Sequence, residues 1–264
     1  MKDRMALSTV RGARADGALE PGQHVVEYTG GSTGASLALV CSVLDHPLTL
    51  VTADCFSAEK IATMRAFGAD VEVTETPDGA VYPGLKEEWD ERIRAFVDDT
   101  DGYWANQFEN PHVPRGYHPL GEEILAECPE VTDFVMAVGT GGCSMGVSTV
   151  LRPEGVRTTL VEPAESPYLS TGMGGSHGVE GIAVTARPPH VDDGLYDEIR
   201  TVPESEARTT TRVMARETGV FGGVSTGMNV AATVDRASEL SPDAAVVTVA
   251  CGTGLKYLAG DLYR

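Results

Sequence analysis

Short runs of apolar and β-branched residues recur along the chain, separated by longer stretches whose apolar positions follow helical spacing. Runs of about four to eight such residues are typical of buried strands, and longer amphipathic stretches are typical of helices packed on a sheet. The pattern predicts strands at Val25–Tyr28, Leu48–Thr52, Val71–Thr74, Phe134–Val138, Thr158–Val161, Ile199–Val202 and Ala245–Val249.

Amphipathic segments at 57–67, 117–127 and 204–218 fill intervals between these strands, and the charged stretch 77–102 predicts one further helix. Strands that alternate with helices indicate parallel sheets. The predicted fold class is therefore α/β, with two open parallel-sheet domains that share a cleft. A boundary near Asn110 divides them into residues 1–109, the smaller domain, and 110–264, the larger one.

Glycine-rich turns occur where strands are expected to end and helices to begin. They are Thr29–Gly34, Gly139–Gly142, Ser225–Gly227 and Gly252–Gly254. Backbone N–H groups and positive helix ends converge at the carboxyl edge of an open α/β sheet, so ligands bind there. Four such turns predict an anionic small molecule as the ligand.

The turn 139–144, with the sequence GTGGCS, is the strongest candidate for a phosphate site. It follows an apolar strand and precedes a helix-compatible run, and its glycines let the backbone approach a phosphate. A dinucleotide-binding turn is the alternative, with Glu162 as the ribose-binding acid. Ser144 occupies the third glycine position of that motif, which argues against it. An ordinary strand-to-helix turn also remains open.

The turn Thr29–Gly34 offers hydroxyl and N–H donors at the start of a helix predicted over Ala35–Leu44. Such a nest of donors suits a carboxylate. The other two turns, Ser225–Gly227 and Gly252–Gly254, are less specific, because each could serve only as a helix cap.

The formal charge is −19, and lysine occurs only at positions 2, 60, 86 and 256. An acidic surface repels phosphates, so nucleic acid is not expected as a partner. Dense negative charge with few lysines favours a halophilic source, because salt screens the repulsion between like charges. Lys60 and Lys86 lie on charged or amphipathic stretches and are interpreted as solvated.

The cysteines, the histidines and the length of the apolar stretches limit the cellular location and the chemistry that are expected. Five scattered cysteines without a CxxC pair indicate neither a disulfide framework nor a zinc site and favour a reducing cytosol. Six histidines lack the spacing of a helical metal pair, so no metal is expected. Apolar stretches are too short to span a membrane, and the charged N-terminus lacks a secretory pattern. A cytoplasmic protein without a membrane partner is predicted.

In combination, the motifs resemble the cysteine synthase and cystathionine β-synthase family of fold type II enzymes, which depend on pyridoxal 5'-phosphate (PLP). Met1–Ala6 resembles the family's S-x-K-D-R motif, and Thr29–Gly34 its T-S-G-N-T-G loop. Gln107–Pro111 is similar to Q-F-x-N-P, and Gly139–Cys143 to the G-T-G-G-T phosphate turn. The resemblance implies two α/β domains with the cofactor cleft between them.

The resemblance also implies roles for individual residues. Lys2 is the catalytic residue, which carries the cofactor and moves the α-proton, and Thr253 faces the pyridine nitrogen. The implied cofactor-binding set is Lys2, Ser32, Gly139, Thr140, Gly141, Gly142, Cys143 and Thr253. The implied substrate-binding set is Thr29, Gly30, Gly31, Ser32, Thr33 and Gln107. Lys256 is the alternative to Lys2 as the cofactor lysine.

Three departures from the family pattern affect substrate choice and the N-terminus. Ser32 replaces an asparagine, and Cys251-Gly252 replaces a Pro-Ser pair. The family also carries about forty residues, enough for a strand or two, before its lysine motif. A catalytic lysine needs fixed geometry, so an upstream in-frame extension that encodes a strand is expected.

The expected reaction is β-replacement or β-elimination on a serine-derived amino acid such as O-acetylserine, with sulfide or a thiol as co-substrate. A PLP-dependent serine or threonine deaminase and a cysteine desulfhydrase are alternatives within the same chemistry. From other classes, an NAD-dependent oxidoreductase and a catalytically inactive binding relative remain open. The resemblance implies a homodimer.

Overall fold

The computed structural model describes residues 1–182 and 186–264, with the backbone alone at Asp78. The described chain forms two compact units. The first comprises Lys2–His112, and the second comprises Val113–Arg264 together with Met1. Each unit contains one parallel sheet of four strands.

The first unit begins with a helix and then alternates strands with helices. Its elements are α1 (Lys2–Ala15), β1 (Val25–Tyr28), α2 (Ser32–Val43), β2 (Leu48–Ala53), α3 (Ala58–Ala66), β3 (Asp70–Thr74), a 3-10 turn (Pro77–Gly79), α4 (Leu85–Thr100) and β4 (Tyr103–Trp104). The strand order is β3-β2-β1-β4, so β1 and β2 are central. Every residue of these two strands is buried, as expected for strands covered by helices on both faces.

Alternating residues of the central strands separate the two apolar layers of this unit. Val25 and Leu50 pack with apolar residues of α1 and α2 on one face. Val26 and Val51 pack with aromatic and aliphatic residues of α4, including Trp89, on the other. Because side chains alternate across a strand, two layers form from the same short segments.

The second unit repeats this plan with more helix. Its elements are α5 (His112–Arg115), α6 (His118–Glu127), β5 (Val131–Ala137), α7 (Gly142–Leu151), a 3-10 turn (Arg152–Glu154), β6 (Arg157–Pro163), α8 (Tyr168–Thr171), β7 (Glu198–Val202), α9 (Glu204–Thr218), α10 (Val224–Ser238), β8 (Ala245–Thr248) and a 3-10 turn (Gly254–Tyr257). The strand order is β7-β6-β5-β8. Val161 of β6 packs with α10, and Leu160 packs with Met145 of α7.

The structure confirms the predicted α/β class and all seven predicted strands, within a few residues at their ends. The elements that were not predicted include the long helices α1 and α10, the short helices α5 and α8, and strand β4. The buried positions of α1 are mainly small residues, which weakens its apolar periodicity. Strand β4 has only two residues and is below the length that a pattern can reveal.

The prediction that Ser225–Gly227 is a turn after a strand was wrong. These residues form part of the first turns of α10, and all three are buried. A Cβ on Gly227 would collide with the Ala207 carbonyl oxygen and the Thr211 hydroxyl of α9. The glycine therefore serves the close approach of two helices rather than a ligand.

Candidate active site

The turn between β1 and α2 is organised by the hydroxyl of Thr29. This oxygen accepts hydrogen bonds from the backbone N–H groups of Gly31 at 3.0 Å and Gly34 at 3.2 Å. Gly31 has φ of 136°, a conformation that strongly favours glycine. The helix α2 starts at Ser32, so the N–H groups of Ser32 and Thr33 belong to a helix N-terminus, which suits an anion.

Two residues assigned to substrate binding are in direct contact. The Thr33 hydroxyl donates a hydrogen bond of 2.7 Å to the side-chain oxygen of Gln107. The Gln107 amide nitrogen donates to the Tyr28 carbonyl oxygen at 3.3 Å. Gln107 follows β4, which lies next to β1 in the sheet, so the sheet brings these distant residues together. Both side chains are buried.

A buried acid beside this turn was missed from the sequence. Glu27 is fully buried on β1, and its carboxylate accepts hydrogen bonds from the backbone N–H groups of Tyr28 at 3.0 Å and Gln107 at 2.9 Å. Burial raises the pKa of Glu27 to about 7. A charged residue inside the otherwise apolar run Val25–Tyr28 was the sequence signal that could have revealed it.

Lys2 is the first residue of α1 and is half-buried. Contacts within the same unit hold this helix along its length. The Ser36 hydroxyl of α2 donates to Asp3 at 2.7 Å, and the Ser8 hydroxyl donates to the His112 carbonyl oxygen at 2.8 Å. The His112 ring bonds Asp16 at 2.9 Å. The position of Lys2 is thereby tied to the helix that begins at the Thr29–Gly34 turn.

The interpretation of Lys60 as a solvated residue was wrong. Its side chain is only 3% exposed, because α3 places it against the Thr29–Gly34 turn. The aliphatic part of Lys60 occupies the space that a Cβ on Gly31 would need. Lys86, by contrast, is exposed and pairs with Asp90 at 2.6 Å, as the sequence indicated.

In the second unit, the glycines of the turn between β5 and α7 are held by tight packing. A Cβ on Gly139 would lie 2.6 Å from the Gly181 carbonyl oxygen, and one on Gly142 would collide with Val113. Gly141 has φ of 83° and lies against Val191. The Thr140 hydroxyl accepts the Gly142 N–H at 3.3 Å.

This turn fits a phosphate group. Thr140, Cys143 and Ser144 are each less than 10% exposed, so their polar groups are shielded from bulk water. The first turn of α7 contains no acidic side chain, and the positive end of the helix is therefore not neutralised. Small residues and a buried ten-residue helix N-terminus provide the donors that a phosphate requires.

Glu162 has a structural role in this unit. It is fully buried at the end of β6, and its two carboxylate oxygens accept the N–H groups of Leu169 at 2.7 Å and Ser170 at 3.0 Å. The Ser170 hydroxyl adds a bond of 2.6 Å. The acid that a dinucleotide site would need is thus occupied in holding α8.

Thr253 begins the short 3-10 turn near the C-terminus. Its hydroxyl oxygen accepts the Leu255 N–H at 3.3 Å, so it acts as a cap. Nearby, Asn229 of α10 donates to the Val249 carbonyl oxygen at 2.9 Å and contacts the Cys251 sulfur at 3.3 Å. The Thr226 hydroxyl accepts the Cys251 N–H at 3.0 Å. α10 therefore orders the segment that leads to Thr253.

Comparison with known proteins adds a match that extends over nearly the whole chain. The family model described as "Pyridoxal-phosphate dependent enzyme" matches residues 1–252. The chain belongs to this family. Its cofactor is therefore PLP, and the resemblance inferred from the motifs is confirmed.

Individual members of the PLP family refine this assignment. Cysteine synthase of Staphylococcus aureus (strain Mu50) is 34% identical over all of this chain and 84% of its own length. The crystal structure of cysteine synthase from Entamoeba histolytica has a TM-score of 0.92 at 31% identity and covers 100% of this chain and 78% of that one. The O-acetylserine dependent cystathionine β-synthase from Helicobacter pylori has a TM-score of 0.92 at 30% identity and covers 100% and 86%.

This PLP-dependent protein is a cysteine synthase-like enzyme of the fold type II architecture. The family match decides against the oxidoreductase alternative. Within residues 1–182 and 186–264, no group of three or more His, Cys, Asp or Glu side chains is arranged to hold a metal ion. Among the helices of the same residues, none is both long and apolar enough to cross a membrane.

Proposed function

We propose that this enzyme makes cysteine by β-replacement, with O-acetyl-L-serine as the amino-acid substrate and sulfide as the nucleophile. The buried, acid-free N-terminus of α7 carries the proposal, because it provides the phosphate site that PLP chemistry needs. The choice of substrate is supported by the relatives, which include a cysteine synthase and an O-acetylserine dependent enzyme. The reaction consumes O-acetylserine and sulfide and releases cysteine and acetate.

Each part of the proposed site has a distinct task. Lys2 holds the cofactor, and its amine takes the proton from Cα and later returns it. The N–H groups of 139–143, with the Thr140 hydroxyl, would bind the phosphate, while Ser32 and Thr253 would contact the cofactor ring. Bound PLP supplies an electron sink that makes the Cα proton acidic. The loss of acetate from Cβ is then followed by the addition of sulfide at the same carbon.

The substrate carboxylate is assigned to the turn between β1 and α2. The N–H groups at the start of α2 and the amide of Gln107 provide donors, and Thr29 keeps the turn in shape. The binding set is Thr29, Gly30, Gly31, Ser32, Thr33 and Gln107. Binding the carboxylate there orients the substrate and fixes which Cα substituent faces the cofactor lysine.

Product analysis of the PLP-loaded enzyme tests this function directly. We expect O-acetyl-L-serine with sulfide to give cysteine at a higher kcat/KM than any other combination. Homocysteine in place of sulfide tests another thiol, and L-serine or L-threonine alone tests deamination to a keto acid and ammonia. L-cysteine alone tests desulfhydration. The absence of cysteine formation, or faster release of sulfide from L-cysteine, would contradict the proposal.

The surroundings of the enzyme are a further part of the proposal. The −19 charge and four lysines support a halophilic, cytoplasmic protein. Screening of like charges should then raise the melting temperature as potassium chloride increases. A melting temperature that does not change with salt argues against this.

The implied homodimer predicts a mass in solution near twice the 27.9 kDa chain mass, and sedimentation equilibrium would measure it.

A further inference from the structure

Glu27 is an ionisable side chain with no exposed surface, placed in the middle of the apolar strand β1. Burial of a carboxylate disfavours its charged form, and the raised pKa of Glu27 reflects this loss of solvation. An apolar residue would avoid that cost. A buried acid that is retained next to candidate substrate-binding residues therefore calls for a functional explanation.

The carboxylate of Glu27 is surrounded by donors. Its Oε2 atom accepts the Gln107 N–H at 2.9 Å, and its Oε1 atom accepts the Tyr28 N–H at 3.0 Å and the Trp104 indole N–H at 3.4 Å. These three groups lie on β1, at the end of β4 and in the segment that follows it. The acid thus joins the end of one strand to the segment that carries Gln107.

The contacts of Gln107 extend this connection to the start of α2. Its backbone is fixed by Glu27, its amide nitrogen bonds the Tyr28 carbonyl oxygen, and its side-chain oxygen accepts the Thr33 hydroxyl. Movement of the Gln107 backbone would therefore displace both its amide and its bond to Thr33. No substrate contact by Glu27 itself is needed for this effect.

We propose that Glu27 is a positioning residue for the substrate: its carboxylate holds the Gln107 backbone so that the Gln107 amide and the start of α2 present a fixed site for the α-carboxylate. This inference rests on the proposed function, because it assumes that the turn binds an amino-acid carboxylate. It adds a residue that acts through Gln107 rather than on the substrate.

Protonation of Glu27 should weaken the hydrogen bonds that hold the Gln107 backbone in place. The neutral acid carries an O–H group, and its three partners are all N–H donors, so the protonated oxygen no longer accepts as strongly. Other charges around the acid are fixed by their own contacts. Lys86 pairs with Asp90, whose charge disfavours ionised Glu27, and Arg94 lies over the Trp104 ring. Tyr28, Tyr103 and Glu109 are further titratable groups in this region.

The variant Glu27→Gln keeps the shape of the side chain and removes the ionisation. At about pH 8.5 we expect its KM for O-acetyl-L-serine to rise about tenfold over wild type, with kcat changed by less than about twofold. The ratio of the two KM values should fall toward one as the pH drops below about 7, because the wild-type acid then becomes neutral as well. Because the two KM values are compared at the same pH, ionisation of the substrate affects both equally.

Glu109→Gln is the matched control. It removes the same charge two positions from Gln107, but Glu109 is exposed. Its KM should stay within about twofold of wild type at every pH, as expected for a surface substitution. An equal KM in the two variants would overturn the proposal.

A second readout needs neither cofactor nor substrate. In the apo protein, the backbone amide resonance of Gln107 should shift with a midpoint near pH 7 and should not shift in Glu27→Gln. If that variant fails to fold, the titration of the Gln107 amide and the pH dependence of KM in the wild-type enzyme still test the proposal. A Gln107 resonance that does not titrate overturns the positioning role. A wild type that titrates but makes no cysteine overturns the proposed function instead.

Discussion

The two glycine-rich turns proposed to bind ligands, one in each unit, share one sequence pattern but differ in what maintains them. In both, a threonine hydroxyl accepts the N–H of a glycine two residues later: Gly31 for Thr29 and Gly142 for Thr140. Both turns contain a glycine with a positive φ angle and lead into a helix N-terminus. The backbone hydrogen bonding within the two turns is therefore similar.

The neighbours of the two turns differ. The turn after β1 also has closely packed glycines, such as Gly31 against Lys60, but it has more polar contacts: Thr29 accepts two N–H groups, and Glu27 orders the adjacent Gln107. The turn after β5 depends on close packing of its glycines against Gly181, Val191 and Val113. A polar network can respond to ligand and pH, whereas close packing gives a rigid anion site. These properties suit the roles proposed for the two turns, substrate binding and phosphate binding, respectively.

The largest expected effect on cofactor binding follows from disturbing the packed turn. In Gly141→Val, the new side chain would sit at positive φ and crowd Val191, only 2.9 Å from the added Cβ. Backbone strain should cost about 1–3 kcal/mol of folding free energy, and displacement of the turn should weaken PLP binding by tenfold or more, about 1.4 kcal/mol. Equilibrium dialysis and chemical denaturation would measure the two effects.

Gly155→Val separates strain from loss of the site. Gly155 lies in the same unit with a closely similar φ of 80°, but no atom lies within 4 Å of an added Cβ. This variant should lose a comparable folding free energy and keep PLP affinity. If both variants bind PLP as wild type does, the turn 139–143 is not the phosphate site.

The effect on folding free energy distinguishes the two threonines. Thr29→Val leaves two backbone N–H groups without their acceptor, and Thr140→Val leaves one. We expect losses of folding free energy of about 2–4 and about 1–2 kcal/mol, respectively. Trp89 and Trp104 both lie in the first unit, so tryptophan fluorescence during urea unfolding reports on Thr29→Val, and circular dichroism on both variants.

The exposed Thr209 provides a control for this substitution. Thr209→Val removes a hydroxyl that donates to the Ser205 carbonyl oxygen within α9, and it should cost less than about 0.5 kcal/mol. A loss for Thr140→Val that equals or exceeds the loss for Thr29→Val would contradict the contrast between a polar turn and a packed turn.

The sequence predicted the strand framework and the location of both turns because these depend on local patterns. The central strands are short runs rich in apolar and β-branched residues, and glycine with threonine marks the turns that follow β1 and β5. Contacts between distant segments could not be predicted in this way. Glu27 meets Gln107 only because β1 and β4 are neighbours, and Lys60 is buried only because α3 packs beside Gly31.

Identification of the cofactor lysine tests the account's central claim most directly. Borohydride reduction of the PLP-loaded enzyme, followed by peptide mapping, should place the label on Lys2, and Lys2→Ala should lose the visible absorbance expected at about 410–420 nm. Lys86→Ala, at an exposed position, should keep both the label and the absorbance. A label on Lys60, which is buried beside the Thr29–Gly34 turn, or on Lys256 would contradict the account.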